Sequence, residues 1–157
     1  MITLQPITYD NFADCIRLEP HEHQKKFVAS NLFSLAEAYV AMSTETFIPM
    51  PFAIYENDVM VGFIMLAYDP AGEDEDDETV YKICRLMIDK NHQGRGFGRR
   101  AMEKALEIIR TFPHGKADLV VLSYKPDNEA ARSLYSSLGF RETGEVEDDE
   151  VWAVLEL

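Results

Sequence analysis

Residues 93–100 read Gln93-Gly94-Arg95-Gly96-Phe97-Gly98-Arg99-Arg100 and lie between a segment typical of a strand and one typical of a helix. Three alternating glycines allow backbone N–H groups to turn toward one ligand. The N-terminus of the helix behind them favours anions. Arg99 and Arg100 fall in the first helical turn, where positive charge opposes the helix dipole. A bound pyrophosphate would reverse that penalty, so the segment predicts a phosphate site rather than a flexible turn with two solvated arginines.

The spacing of this glycine loop fits neither of two common phosphate sites well. A P-loop requires Gly-Lys-[Ser/Thr], whereas Gly98 is followed by Arg99. A dinucleotide site requires G-x-G-x-x-G near a first strand, whereas the spacing here is G-x-G-x-G.

The segments on either side of the loop have opposite periodicities. Met102, Ala105, Leu106 and Ile109 form one apolar stripe at i, i+3, i+4 and i+7, which predicts a helix. The strand predicted over residues 79–89 changes phase, with Tyr81 and Ile83 odd-numbered but Leu86 and Ile88 even-numbered. One extra residue near Cys84-Arg85 would account for the change, so we expect a β-bulge there.

The remaining patterns give the order β-α-α-α-β-β-β-α-β-α-β-β. Residues 20–30 are predicted to be helical, and the capping-box pattern Ser34-x-x-Glu37 predicts the start of the following helix. An apolar hairpin over residues 52–66 precedes the strand, and Gly139 is expected to end the last helix in a left-handed conformation. The order predicts an α/β fold with a mixed sheet flanked by helices.

The composition indicates one soluble domain spanning residues 1–157. The chain has no apolar run of membrane-spanning length and its N-terminus lacks the pattern of a signal peptide, so we expect a cytoplasmic protein without a membrane partner. The two cysteines, Cys15 and Cys84, are too few for a disulfide framework and match no metal motif.

The net charge of −13 argues against a nucleic-acid partner, because phosphates require Lys and Arg. Two segments carry the excess: the six consecutive acids of residues 73–78, and the six acids among residues 142–150. The remaining 16 acids nearly balance the 15 bases. The two segments are either solvated surface or an electrostatic trap for a cationic substrate.

Two stretches resemble the GCN5-related N-acetyltransferases (GNATs). Leu86-Met87-Ile88 followed by Gln93-x-x-Gly96-x-Gly98 is similar to motif A of that family, and residues 128–140, ending in Leu138-Gly139-Phe140, are similar to motif B. The resemblance covers residues 50–157. It implies the GNAT fold, a mostly antiparallel central sheet with a splayed strand pair, and transfer of acetyl from acetyl-CoA without a metal.

The resemblance also implies roles for single residues. The backbone of Leu86, Met87 and Ile88 would pair with the pantetheine arm as an added strand would. The cofactor would also contact Gln93, Gly94, Arg95, Gly96, Phe97, Gly98, Arg99 and Asn128. Tyr135 would be the general acid that protonates the leaving thiolate, although a lone tyrosine is more often a packing residue. Asn128 and Tyr135, seven apart on a predicted helix, would share one face.

The general base is not assigned by the resemblance. Many relatives carry a Glu or Asp on the bulged strand or on the next one, where this chain has Cys84-Arg85 and Ser123. One alternative for the base is a water relay toward Tyr81, Glu37 or the acidic segment of residues 73–78. His92 lies next to the glycine loop, but a solvated histidine is the commoner explanation for it.

Residues 24–38 resemble the bacterial spermine/spermidine acetyltransferases, which carry Q-x-x-F-V-x-x-N-x-x-S-L-A-E-A beside the acceptor site. The resemblance implies a small cationic amine as acceptor, with contacts from Glu37, Glu75, Asp77, Glu78 and Tyr81, and a possible homodimer. A protein N-terminal or lysine acetyltransferase, or a non-catalytic acyl-CoA sensor that would tolerate loss of Tyr135, stays open.

Overall fold

The computed structural model describes residues 1–71 and 77–157. Its strands are β1 (Ile2–Pro6), β2 (Ile48–Glu56), β3 (Val59–Asp69), β4 (Val80–Ile88), β5 (Leu119–Tyr124), β6 (Arg141–Glu147) and β7 (Glu150–Glu156). Its helices are α1 (Phe12–Arg17), α2 (Asn31–Thr44), α3 (Phe97–Ile109) and α4 (Glu129–Ser137), with short 3-10 turns at Glu22–Gln24 and Lys90–His92. None of the described helices is long and apolar enough to cross a membrane.

The seven strands form one sheet in the order β1-β2-β3-β4-β5-β7-β6. All neighbours are antiparallel except β4 and β5, which are parallel and joined through α3. These two strands pair only from Val80–Leu119 to Lys82–Val121 and then separate. The predicted mixed, mostly antiparallel sheet with a splayed strand pair is therefore confirmed.

The predicted bulge in β4 is also confirmed. Met65 of β3 pairs with Arg85, whereas the next residue, Leu66, pairs with Ile83. Cys84 is thus the extra residue, and it reverses the faces of the side chains that follow it. The bulge lies where β4 turns away from β5.

Alternate residues of β3 divide the core between the two faces of the sheet. Ile64 and Leu66 belong to a cluster with the apolar stripe of α3, and the partly buried Leu134 of α4 packs against that cluster. Phe63 and Met65 belong to a second cluster, which includes Cys15 of α1 and Ala38 of α2. The sheet is therefore covered by α3 and α4 on one face and by α1 and α2 on the other.

The N-terminal helices differ from the sequence prediction. Residues 20–30 form a 3-10 turn and irregular backbone rather than a helix. Helix α2 begins at Asn31, and the Ser30 side chain caps it by accepting a hydrogen bond from the amide of Phe33 at 3.1 Å. Ser34, the predicted cap, is instead fully buried one turn later. The capping-box prediction failed because Ser30 offers an equally good cap without the pattern's glutamate.

Candidate active site

A cleft with a volume of about 680 Å³ opens where β4 and β5 separate. Its wall combines the second half of β4, the glycine loop, the end of β5, one side of α4 and the irregular segment of residues 20–29. The carboxyl ends of two adjacent parallel strands meet at this edge, where open α/β sheets commonly place ligands.

The side of β4 that faces this cleft has backbone groups available for a ligand. Leu86, Met87 and Ile88 line the cleft, and within the described chain no residue of β4 beyond Lys82 pairs with β5. Because a strand in a sheet offers alternate N–H and C=O groups to each side, an extended ligand arm can pair with this edge.

The glycine loop presents free backbone donors to the same cleft. In the described residues, the amides of Gly94 to Arg99 donate to no acceptor, and the first helical bond runs from the Arg100 amide to the Gly96 carbonyl at 3.2 Å. Gly94 and Gly96 have φ of +78° and +79°, and a Cβ on either would meet no atom of residues 1–71 or 77–157 within 4 Å beyond its chain neighbours. The residues present therefore fit a pyrophosphate, since the loop combines left-handed glycines, unused amides and open space.

The arginines of the loop turn away from the cleft. Gln93, Gly94, Gly96, Phe97 and Gly98 line it, but Arg95 and Arg99 do not. The guanidinium of Arg95 lies 4.7 Å from the centre of the Phe97 ring. Arg99 donates to the Ser137 hydroxyl at 2.6 Å and forms an ion pair with Glu103 at 3.2 Å. Contact of these two residues with a ligand would thus come from their backbone.

Gln93 and Asn128, two residues predicted to contact the cofactor, carry amide side chains that are held in place by hydrogen bonds. Gln93 donates to the Ile88 carbonyl at 2.9 Å and exchanges two hydrogen bonds with Gln24, at 2.8 and 3.0 Å. Asn128 lines the cleft, and its Oδ1 accepts from the amide of Ala131 at 3.2 Å. Asn128 is therefore the N-cap of α4 and lies just outside the helix that was predicted to contain it.

Tyr135 of α4 lines the cleft between two aromatic rings. Its ring centroid is 5.7 Å from that of Tyr124 and 6.0 Å from that of Phe140. Burial, with a smaller contribution from Tyr124, raises the pKa of Tyr135 to about 12. The residue is consequently a neutral hydroxyl donor across the physiological range.

Tyr124 belongs to a polar network that the motifs did not reveal. Its hydroxyl donates to Glu142 Oε1 at 2.7 Å, and Arg132 Nε donates to the same oxygen at 3.0 Å. The Tyr124 hydroxyl and the Arg132 guanidinium hold the pKa of Glu142 below its usual range. The network ties β5, α4 and β6 together around Tyr135.

The residues of segment 24–38 that resemble the polyamine acetyltransferases occupy different places in the structure. Phe27 and Val28 line the cleft, whereas Asn31 is buried and donates to the Cys15 carbonyl at 2.8 Å. Glu37 forms an ion pair with Arg85 at 3.5 Å and does not line the cleft. Of the pair, Arg85 is the one that reaches the cleft wall.

The other predicted acceptor residues lie away from the cleft. Tyr81 is fully buried and donates its hydroxyl to the Gly115 carbonyl at 2.7 Å, so it has no free group for a substrate. Asp77 and Glu78 are exposed before the start of β4, at the end of the strand remote from the glycine loop. Glu75 lies outside the described residues.

The candidate proton acceptors are also placed by the structure. Cys84 is a poor base, because burial raises the pKa of its thiol to about 11. Ser123 and His92 line the cleft, and so does Glu150 at the start of β7, which the motifs did not indicate. Only the position of Glu150 in the acid-rich segment of residues 142–150 could have drawn attention to it.

The sequence profile of the Acetyltransferase (GNAT) family matches residues 12–140. The chain belongs to the GNAT family. It is accordingly an N-acetyltransferase that uses acetyl-CoA, and the resemblance of the two motifs is confirmed.

Sequence relatives and solved structures are similar to this protein over nearly the whole chain. The spermine/spermidine N(1)-acetyltransferase of Bacillus subtilis (strain 168) is 25% identical over 146 residues, which cover 93% of this chain and 91% of that protein. An aminoglycoside acetyltransferase in complex with coenzyme A has a TM-score of 0.77 at 17% identity, covering 99% of this chain and 95% of that one. The spermidine N-acetyltransferase of Vibrio cholerae, in complex with CoA and spermine, has a TM-score of 0.71 at 16% identity, with coverage of 99% and 95%.

The unused amides of the glycine loop and the part of β4 that does not pair with β5 fit acetyl-CoA as the cosubstrate of this GNAT protein. Across residues 1–71 and 77–157, no group of three or more His, Cys, Asp or Glu side chains is placed to hold a metal ion.

Proposed function

We propose that this protein, folded as one domain over residues 1–157, acetylates a primary amine of a polyamine by direct attack in a ternary complex. The observation that carries the proposal is one cleft in which the free edge of β4, the unused amides of the glycine loop and the Tyr135 side chain meet. The β4 edge and the loop amides suit an extended phosphorylated cosubstrate. The Tyr135 hydroxyl suits acid catalysis on the thioester of that cosubstrate.

Acetyl-CoA supplies an activated acyl group when it is bound. Leu86, Met87 and Ile88 pair with its pantetheine arm through their backbone. Gln93, Asn128 and the backbone from Gly94 to Arg99 hold its polar groups. A backbone amide near Met87 or Ile88 is the donor for the oxyanion that forms as the amine attacks. These roles are supported by the lining of the cleft, which includes each of these residues except Arg95 and Arg99.

Tyr135 acts as the general acid in this proposal. Its partly buried ring is held between Tyr124 and Phe140, and its raised pKa keeps the proton on the hydroxyl at neutral pH. The hydroxyl donates that proton to the departing thiolate, and the attacking nitrogen releases a proton to solvent as the amide forms, so that Tyr135 is reprotonated from solvent without net proton uptake. The acceptor ammonium must lose its own proton before attack, because only the neutral amine has a free electron pair.

A polyamine acceptor is supported by three observations. The chain is similar along 93% of its length to a spermine/spermidine acetyltransferase. Phe27 and Val28 of the segment that resembles those enzymes line the cleft. The net charge of −13 attracts a polycation, and the acids of residues 73–78 and 142–150 concentrate that attraction.

The test is an acetylation assay with acetyl-CoA and a panel of amines, in which products are identified by mass. The panel contains spermine, spermidine, an aminoglycoside, free lysine and a peptide with a free N-terminus. Preferential acetylation of a polyamine supports the proposal. Preferential acetylation of the peptide would instead favour a protein acetyltransferase, and acetyl-CoA binding without any product would favour a sensor.

We also infer a homodimer in the cytoplasm. Helix α2 exposes Leu32, Phe33, Tyr39, Val40 and Met42, and Glu37 is its only charged residue. Such a face suits a self-complementary contact with a second copy. The two free thiols are consistent with a reducing compartment. Light scattering during gel filtration tests the dimer, with Phe33→Glu expected to yield monomers.

A further inference from the structure

Most of the positively charged side chains on the cleft wall form ion pairs with carboxylates that lie outside the cleft. Of the four Lys and Arg side chains on the cleft wall, Lys25, Lys26 and Arg85 each lie within ion-pair distance of a carboxylate that does not line the cleft. Their partners are Glu19 and Glu22 for Lys25, Asp127 for Lys26, and Glu37 for Arg85. The fourth, Lys125, donates to the Asp148 carbonyl at 3.3 Å. The cleft is therefore not a simple anion-binding surface away from the glycine loop.

Glu150 differs from these cations in the sign of its charge and in its neighbours. It is the single Asp or Glu on the cleft wall among the described residues. Within the same part of the chain, its carboxylate forms no ion pair within 4.0 Å and no hydrogen bond. It is half-buried, so it is a negative charge in a partly enclosed space, where it interacts with a cation more strongly than it would in bulk water.

The β6–β7 hairpin fixes the position of Glu150. Glu150 pairs with Glu147 across a two-residue turn, Asp148-Asp149, in which both φ angles are positive (52° and 61°). Positive φ at both central residues is typical of the tight type I′ turn. The next residue, Val151, pairs with Tyr124, so Glu150 lies beside the end of β5, close to the aromatic pair that contains Tyr135.

Glu150 and the glycine loop lie on different elements of the cleft wall. The loop follows β4, whereas Glu150 adjoins the end of β5. His92, the imidazole on the wall, precedes the loop and belongs to the cofactor side. The carboxylate is consequently available to the acceptor rather than to the phosphates.

We propose that Glu150 is the specificity-determining residue that binds an ammonium group of the acceptor amine. This inference rests on the proposed amine acetylation. A carboxylate that meets an ammonium in a half-enclosed cleft forms a charge-assisted hydrogen bond, which is stronger than a solvated surface pair. It selects cationic over neutral acceptors and places the reacting amine on the Tyr135 side of the cleft.

The test compares Glu150→Gln with Glu147→Gln in steady-state acetylation of spermidine at low salt. Glu147 pairs with Glu150 across the same turn but does not line the cleft, so it controls for the loss of one negative charge in the hairpin. We expect Glu150→Gln to raise KM for spermidine about tenfold or more with a smaller change in kcat, and Glu147→Gln to change KM less than twofold. Glu150→Asp is expected to fall between the wild type and Glu150→Gln.

The Kd of acetyl-CoA is measured by calorimetry for each variant, and an unchanged value shows that the acetyl-CoA site is intact. An active wild type with equal KM in Glu150→Gln and Glu147→Gln would overturn the role of Glu150 alone. A wild type that binds acetyl-CoA but acetylates no amine would overturn the proposed function and this inference with it.

Discussion

The rings of Tyr124 and Tyr135 lie against each other with centroids 5.7 Å apart and planes tilted by 41°. Tyr124 is held at its other end by a hydrogen bond to Glu142. Because β5 carries one ring and α4 the other, this contact fixes the helix relative to the open end of the splayed strands. The position of the Tyr135 hydroxyl is thus set by packing and by a polar network on three elements.

Replacement of Tyr135 by Phe should lower kcat by at least tenfold and leave the Kd for acetyl-CoA within about twofold. The ring and its packing remain, whereas the proton donor is lost, and general acids contribute on the order of 10²-fold or more. Steady-state kinetics and calorimetry measure the two quantities. Unchanged turnover would remove Tyr135 from the mechanism.

Gly96→Ala should weaken acetyl-CoA binding in addition to its cost in stability. The left-handed φ of +79° costs an alanine about 1–2 kcal/mol, and the new methyl group would lie in the open space of the loop. Gly144→Ala is the matched control, because Gly144 has φ of +88°, no atom within 4 Å of a Cβ and a position in β6 away from the cleft. Equal acetyl-CoA affinity in both variants would argue against the loop as the phosphate site.

Gln24→Ala should weaken acetyl-CoA binding although Gln24 lies about 70 residues from the glycine loop in sequence. It removes two hydrogen bonds to Gln93, each with a net value of about 0.5–1.5 kcal/mol, so the residue before Gly94 loses its support. We expect Kd to rise about threefold to tenfold. Gln5→Ala serves as control, since the Gln5 side chain is exposed and, among the residues that the structure describes, bonds only to Thr3. An identical Kd in the two variants would contradict the prediction.

The free energy of unfolding should fall as the pH rises above 9. Burial raises the pKa of the Cys15 thiol from 9.0 to about 11, so between these values the folded state retains a proton that the unfolded state has released. The unfolded state is therefore favoured with rising pH, by about 1 kcal/mol for Cys15 at pH 10.

Urea denaturation at pH 8 and pH 10 measures this change, with Cys15→Ala as the comparison. The variant should lose less stability than the wild type between the two pH values, whatever its stability at pH 8. The thiol of Cys84, with a pKa also raised to about 11, accounts for part of the remaining decrease. An equal decrease in both proteins would show that Cys15 is not the group responsible.

The amino-acid sequence alone determined the features that depend on local chemistry. The glycine loop, the apolar stripe of α3 and the phase change in β4 each require particular residue types at fixed spacing, and all three predicted their local structure. The bulge at Cys84 was predictable because side chains alternate faces in a strand, so one inserted residue leaves a visible change of period. Residues 20–30 were predicted wrongly: the structure has only the 3-10 turn Glu22–Gln24 there, and the contact of Gln24 with Gln93 that holds this segment is tertiary, so the local sequence could not show it.

Only the tertiary structure decided which distant residues share the cleft. Tyr81 and Glu37 carry suitable groups, but the fold buries the first and pairs the second with Arg85. Glu150 belongs to no motif, and it reaches the cleft because β7 lies next to β5 in the sheet order. Sequence patterns report spacing within one element, whereas a side chain's partners across the sheet depend on strand order and register, which emerge when the whole core is packed.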